Sequence, residues 1–182
     1  MQVFLNDGGP LIALAVETAD DWRGAEDSTT PGASPRGTSD YSRACAADSP
    51  AGLLAVGAGT GVVIGAQEGV ATAWWFDDTP DALYLIGCIY GDDAADALLQ
   101  STLHTTAPDR WNPLGGMQVG TPLLALIHAW SVGAELTLRP PEDRVLIGEI
   151  LPTTLAIGAY DVAASEFRSQ AGLYNVVRWV RR

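Results

Sequence analysis

Short apolar runs broken by glycine, proline and acidic residues dominate this chain, and most are too short for helices. Residues 2–5 and 11–16 flank a Gly8-Gly9-Pro10 turn, and a proline heading Leu11-Ile12-Ala13-Leu14 suits the start of a strand. Residues 53–56 and 62–64 flank the glycine-rich stretch 57–61, the pattern of a hairpin. Further strands are expected at 70–76, 83–90, 122–127, 135–138, 145–147, 153–160 and 173–180. In the last of these Arg178 interrupts Val176, Val177, Trp179 and Val180, so one face is half-exposed. One segment reads clearly as a helix, residues 92–104. Asp92 and Asp93 cap it, good helix formers follow, and acidic side chains sit at the positive end of its dipole. A shorter helical turn is expected at 41–47, capped by Ser39 or Asp40. Before that turn, residues 24–40 are rich in Gly, Pro, Ser and Thr and read as a flexible loop. The expected class is α+β, dominated by β-structure.

The pattern repeats. Pro10-Leu11-Ile12-Ala13-Leu14 is echoed by Pro122-Leu123-Leu124-Ala125-Leu126, Val62-Val63-Ile64-Gly65 by Val145-Leu146-Ile147-Gly148, and Ala71-Thr72 by Thr153-Thr154. The first pair is the most widely spaced, and the loop at 24–40 accounts for the surplus. A single domain over 1–182 is therefore expected to hold two similar β-rich halves, about 1–108 and 109–182.

Composition narrows the function. The 182 residues carry 10 basic and 22 acidic side chains, for a net charge of −12. Every basic residue is arginine, which removes Schiff-base and P-loop lysine chemistry. A pI near 4.3 opposes binding to nucleic acid or to an anionic membrane. Cys45 and Cys88 form neither a zinc spacing nor a disulfide framework, and Cys88 lies in an apolar run that suits a buried thiol. The first ten residues lack the basic and apolar regions of a signal peptide, and no uninterrupted apolar run has the ~18 residues of a membrane helix. A cytoplasmic protein is expected.

Catalytic signals are weak. The glycine stretch 57–61 is followed by strand residues, so phosphates would find no helix N-terminus. His104 and His128 are the two histidines; no GxSxG or HExxH motif accompanies them, and no metal or other cofactor is expected. Carboxylate pairs recur beside turn signals and sum to a field that would speed encounter with a basic partner. Trp74 and Trp75 stand next to one such pair. Neighbours on a strand face opposite ways, so one of the two is expected to enter the core and the other to face outward or cover a second layer. The expected partner-binding residues are Trp74, Trp75, Asp77, Asp78, Asp92, Asp93 and Asp96. Two other functions stay open: a ligand-binding or regulatory β-domain with a pocket lined by Trp74, Trp111 and Trp130, and a hydrolase using His104 or His128.

Residues 6–14, NDGGPLIAL, then Trp22-Arg23-Gly24, then Asp40-Tyr41-Ser42-Arg43-Ala44-Cys45-Ala46 resemble the opening of the immunity protein 21 family. Val56-Gly57-Ala58-Gly59, Val63-Ile64-Gly65, Ala71-Thr72-Ala73-Trp74 and residues 85–92 continue the resemblance to about residue 100; the second half matches loosely. The resemblance implies a bacterial protein that binds a cognate protein toxin in the producing cell and blocks it without catalysis. An acidic inhibitor would suit a basic nuclease cleft. The motif residues Gly8, Gly9, Pro10, Tyr41, Arg43 and Cys45 are expected to be structural: the glycines set a turn, Arg43 pairs with a carboxylate, and Tyr41 and Cys45 pack beneath it.

Overall fold

Alternation along the strands decides what each face meets. The computed structural model describes residues 2–5, 9–26, 39–47, 50–65, 71–76, 82–91, 110–138, 148–152, 155–168 and 172–182. Among them are eleven strands: β1 (Gln2–Leu5), β2 (Leu11–Ala15), β3 (Ala51–Val56), β4 (Gly59–Ile64), β5 (Ala71–Phe76), β6 (Ala82–Gly91), β7 (Asn112–Val119), β8 (Leu123–His128), β9 (Gly148–Pro152), β10 (Gly158–Arg168) and β11 (Gly172–Arg181). They form a six-stranded sheet ordered β1-β5-β6-β11-β10-β7 and a five-stranded sheet ordered β3-β4-β2-β8-β9. Every pairing described is antiparallel. Leu83 and Leu85 of β6, with Val177 and Trp179 of β11, pack against Leu11 and Ala13 of β2 between the sheets. Tyr84, Ile86, Tyr174 and Val176 alternate with them and form a separate cluster on the far face of the six-stranded sheet.

β2 shows why its sequence lacks alternation. Leu11, Ala13 and Ala15 face the first sheet, while Ile12 and Leu14 face a layer of short helices. A strand buried on both sides needs apolar residues at every position. That outer layer contains a 3-10 helix (Val16–Asp21), α1 (Asp40–Cys45) and α2 (Gly133–Leu138). Ala19, Trp22, Ala44 and Leu136 from the layer close over Ile12, Leu14, Ala125 and Ile127. The β-dominated α+β expectation matches this architecture.

The strand order has a symmetry. From one edge the first sheet reads β1-β5-β6, and from the other β7-β10-β11. At the centre of the second sheet β4-β2 lies beside β9-β8, with β3 as an added edge. The echoing segments at 10–14 and 122–126 fall on β2 and β8, which pair from Leu11 with His128 to Ala15 with Leu124.

Several expectations need correction. Residues 135–138 belong to helix α2, not to a strand. A strand would put Leu136 and Leu138 on one face, yet Leu136 is fully buried and Leu138 is 83% exposed. The strand expected at 153–160 begins only at Gly158 and runs on to Arg168. β7 went unpredicted because Pro113, Gly115 and Gly116 read as turn residues; an edge strand tolerates proline, and a register irregularity against Val162 and Ala163 absorbs the extra residue. The ends of the expected loop at 24–40 are held firmly, since Gly24 and Asp40 are buried. Its middle, 27–38, the helix expected at 92–104 and the strand at 145–147 lie outside the described residues. The hairpin at 53–64 is as expected, with Gly57 and Ala58 forming its two-residue turn.

Candidate partner-binding face

Three sequence blocks far apart in the chain meet at the turn after β8. Ala129 N–H donates to the Pro10 carbonyl at 3.0 Å, and the Trp22 indole N–H donates to the Ala129 carbonyl at 3.1 Å. Ala25 N–H donates to the Trp130 carbonyl at 3.0 Å, and Tyr41 N–H to the Gly24 carbonyl at 2.8 Å. Gly24 has φ +58, and a Cβ there would collide with the carbonyls of Trp130 and Ser131. Only glycine lets the two backbones approach this closely.

Asp40 is the electrostatic centre of this knot. Its side chain is fully buried; one carboxylate oxygen accepts from Arg43 Nη1 at 2.6 Å and the other from the Arg23 backbone N–H at 2.9 Å. Arg43 Nη2 donates to the Ala55 carbonyl at 2.7 Å, which ties α1 to β3. Ser39 caps the helix by accepting from Ser42 N–H at 3.1 Å. The expected pairing of Arg43 with a carboxylate is present. Gly9 has the expected turn conformation, with φ +71, and sits against the Tyr41 hydroxyl; Gly8 lies outside the described residues. Cys45 departs from expectation. It is exposed instead of packed, because it falls on the wet side of a six-residue helix. A hydrogen bond with Cys45, then charge repulsion from it and burial, raise the Tyr41 phenol above its ordinary value.

Trp130 crowns the knot. It is 39% exposed, whereas His128 beneath it is fully buried. The two rings stack with centroids 6.1 Å apart and planes at 27°. The surrounding layer is acidic. Residues 16–26, 39–47 and 129–138 carry six carboxylates, Glu17, Asp20, Asp21, Glu26, Asp40 and Glu135, against two guanidiniums, Arg23 and Arg43. Each guanidinium pairs within the layer, Arg23 with Glu26 and Arg43 with Asp40. Residues 110–119, 158–168 and 172–182 reverse the balance, with Arg110, Arg168, Arg178, Arg181 and Arg182 against Asp161 and Glu166.

Of the residues expected to bind a partner, Trp74 and Trp75 lie on β5 of the six-stranded sheet. The register pairs Trp74 with Leu85 and Trp75 with Tyr84 on β5 and β6; Asp77, Asp78, Asp92, Asp93 and Asp96 lie outside the described residues, as does His104. Trp74, Trp111 and Trp130 were also expected to line one pocket. Trp111 instead packs with Tyr84 and Phe167 at centroid distances of 6.2 and 5.7 Å, on the far face of the first sheet. Arg178 lies 4.2 Å over its ring, and burial lowers that guanidinium below its ordinary value against the opposing effect of Tyr84. Trp111 thus belongs to the cluster on the far face of the first sheet, whereas Trp130 lies exposed at the turn after β8 of the second. A cleft of about 400 Å³ opens between Gly59 and Thr60 on β4 and Gly116 to Gln118 on β7. Among the described residues no group of three or more His, Cys, Asp or Glu could hold a metal ion, and no helix is long and apolar enough to cross a membrane. The exposure of Trp130 was missed because, in sequence, it simply ends an apolar strand; the flanking Ser131 and Gly133 were the available sign of a turn.

Fold and surface together define a β-sandwich that presents a rigidly held aromatic side chain on an acidic layer. The chain belongs to the immunity protein 21 family, whose family model matches residues 4–172. No curated protein and no solved structure matches it.

Proposed function

We propose that this protein neutralises a cognate bacterial toxin by binding and occluding it, as a stoichiometric, non-catalytic inhibitor in the cytoplasm of the producing cell. The observation that carries this reading is the family match over residues 4–172. The net charge of −12 supports a basic partner, and a nuclease domain with a cationic substrate cleft is the toxin class it fits best. The domain organisation we propose is one unit over 1–182 made of two similar halves, supported by the symmetric strand order and the sequence echoes.

Co-expression with the toxin encoded next to this gene tests the function. Cells survive if the reading holds; cell death in the presence of abundant soluble protein overturns it.

Within this reading, Asp77, Asp78, Asp92, Asp93 and Asp96 steer the encounter, and Trp74 and Trp75 add contact area. Steering charges act over roughly a Debye length, about 8 Å at physiological salt, so they need not touch the partner. Exchanging all five aspartates for asparagine is expected to slow association about tenfold at low ionic strength, with the gap closing as salt rises. Stopped-flow association rates across a salt series measure this, and an unchanged salt slope excludes steering by these residues.

A further inference from the structure

We propose that Trp130 is the anchor of the toxin interface, filling an apolar pocket that basic side chains surround on the toxin; this rests on the immunity reading. Three independent observations converge on it. Trp130 leaves 39% of its surface in solvent, although the chain leading to it is buried at every position from Leu124 to Ala129. A tryptophan of this kind is the residue type most often found to dominate binding energy.

It is also held in place before any partner arrives. Its ring stacks on the fully buried His128 ring. Its carbonyl is fixed by Ala25 N–H, and the turn around it is closed by Ser131 N–H donating to the His128 carbonyl at 2.8 Å. Gly133 N–H donates to the Trp22 carbonyl at 2.8 Å and locks the next helix onto the same knot. An anchor whose backbone and ring are already ordered loses little freedom on binding, so more of its contact energy appears as affinity. The family motif residues thereby gain a purpose. Pro10, Gly24, Asp40 and Arg43 touch no partner themselves; they are positioning residues for Trp130.

The charge around the anchor selects the occupant. The helical layer carries a surplus of four negative charges among its described residues, and its two guanidiniums are already paired. A nucleic acid would be repelled by it. A second copy of this chain meeting it face to face would bring like charges together. A protein surface rich in lysine and arginine is the complement.

Binding is measured by interferometry with the purified toxin domain encoded by the neighbouring gene. Trp130→Ala is expected to raise Kd at least about 30-fold, chiefly through faster dissociation, which is the loss typical of a hot-spot tryptophan. Trp130→Phe keeps the stack on His128 and is expected to lose less, about tenfold or under. Hydroxyl-radical footprinting of the unaltered protein gives a readout independent of any variant's folding: Trp130 oxidation should fall on complex formation. Several results overturn the proposal. They are a Kd for Trp130→Ala within about twofold of the unaltered protein, well inside the range of neutral contacts, or Trp130 oxidised equally in the free and bound states. Another is weakened binding by Trp75→Ala with none by Trp130→Ala, which would move the anchor to β5. Protection of Trp130 without toxin, in a dimer seen by sedimentation, would assign the face to a second copy. If the unaltered protein forms no complex at all, the immunity reading itself fails, and the anchor with it.

Discussion

Replacing Asp40 by alanine is expected to lower stability by about 3–5 kcal/mol, the loss seen when one member of a buried ion pair is removed. The Asp40 carboxylate is fully buried, and the side chain of Arg43 is only 13% exposed. Without Asp40, the guanidinium keeps the Ala55 carbonyl but loses its counter-charge, and the Arg23 backbone N–H loses its acceptor. An unpaired buried donor alone costs about 1–3 kcal/mol. For a chain of this size the loss of about 3–5 kcal/mol lowers the thermal midpoint by about 6–20 °C. Differential scanning calorimetry measures it. Arg43→Ala should cost a similar amount, because it strands the carboxylate instead. The double variant Asp40→Ala with Arg43→Ala should fall well short of the sum of the two, since neither charge is then left alone. Additive losses would show that the pair is not coupled. Because this knot also carries Trp130, the Asp40 variant should release the toxin faster even at temperatures where it remains folded.

Legibility of this fold in the sequence follows from how each strand is covered. β2, β4, β6, β8 and β11 stand out because each carries buried apolar residues on both faces. β7 is hidden because an edge strand is free to carry Pro113, Gly115 and Gly116. α2 is hidden because six residues are too few to display a helical period, and Glu135-Leu136-Thr137-Leu138 happens to alternate. At the candidate site, the expected roles for Gly9 and Arg43 were readable, since a left-handed glycine and a lone arginine beside Asp40 have few other uses. The prominence of Trp130 was not. Exposure is decided by which turn follows β8 and by the packing of Gly24 against it, and residue 24 is remote from residue 130 in the chain. Long-range contacts of that kind leave no local pattern. The same holds for Glu17, whose carboxylate accepts from Gly120 N–H at 2.7 Å and Thr121 Oγ1 at 2.9 Å, clasping the 3-10 helix to the turn before β8.

Trp179→Ala should match the Asp40 variant in size through an unrelated cause. Trp179 is fully buried on β11, paired in register with Leu83 on one side and Val162 on the other, in the core where the two sheets meet. Its indole N–H points at the Met117 sulfur, 3.3 Å away, which ties the central strand to edge strand β7. Truncating a buried tryptophan removes its transfer energy and leaves a cavity, together about 3–5 kcal/mol. Neither sheet can close the gap, because each is fixed by its own ladder and by the neighbours on its far face. Trp179→Phe should lose less than half as much, since most of the volume is kept and the sulfur contact is a weak one. Urea unfolding at fixed pH gives both values. A further contrast separates core from surface. In the Trp179 variant the toxin affinity of the remaining folded molecules should be unchanged, whereas in Trp130→Ala affinity falls while the unfolding midpoint moves little. If the two tryptophans instead trade effects on both measurements, the division between a packed inter-sheet core and a presented binding face is wrong.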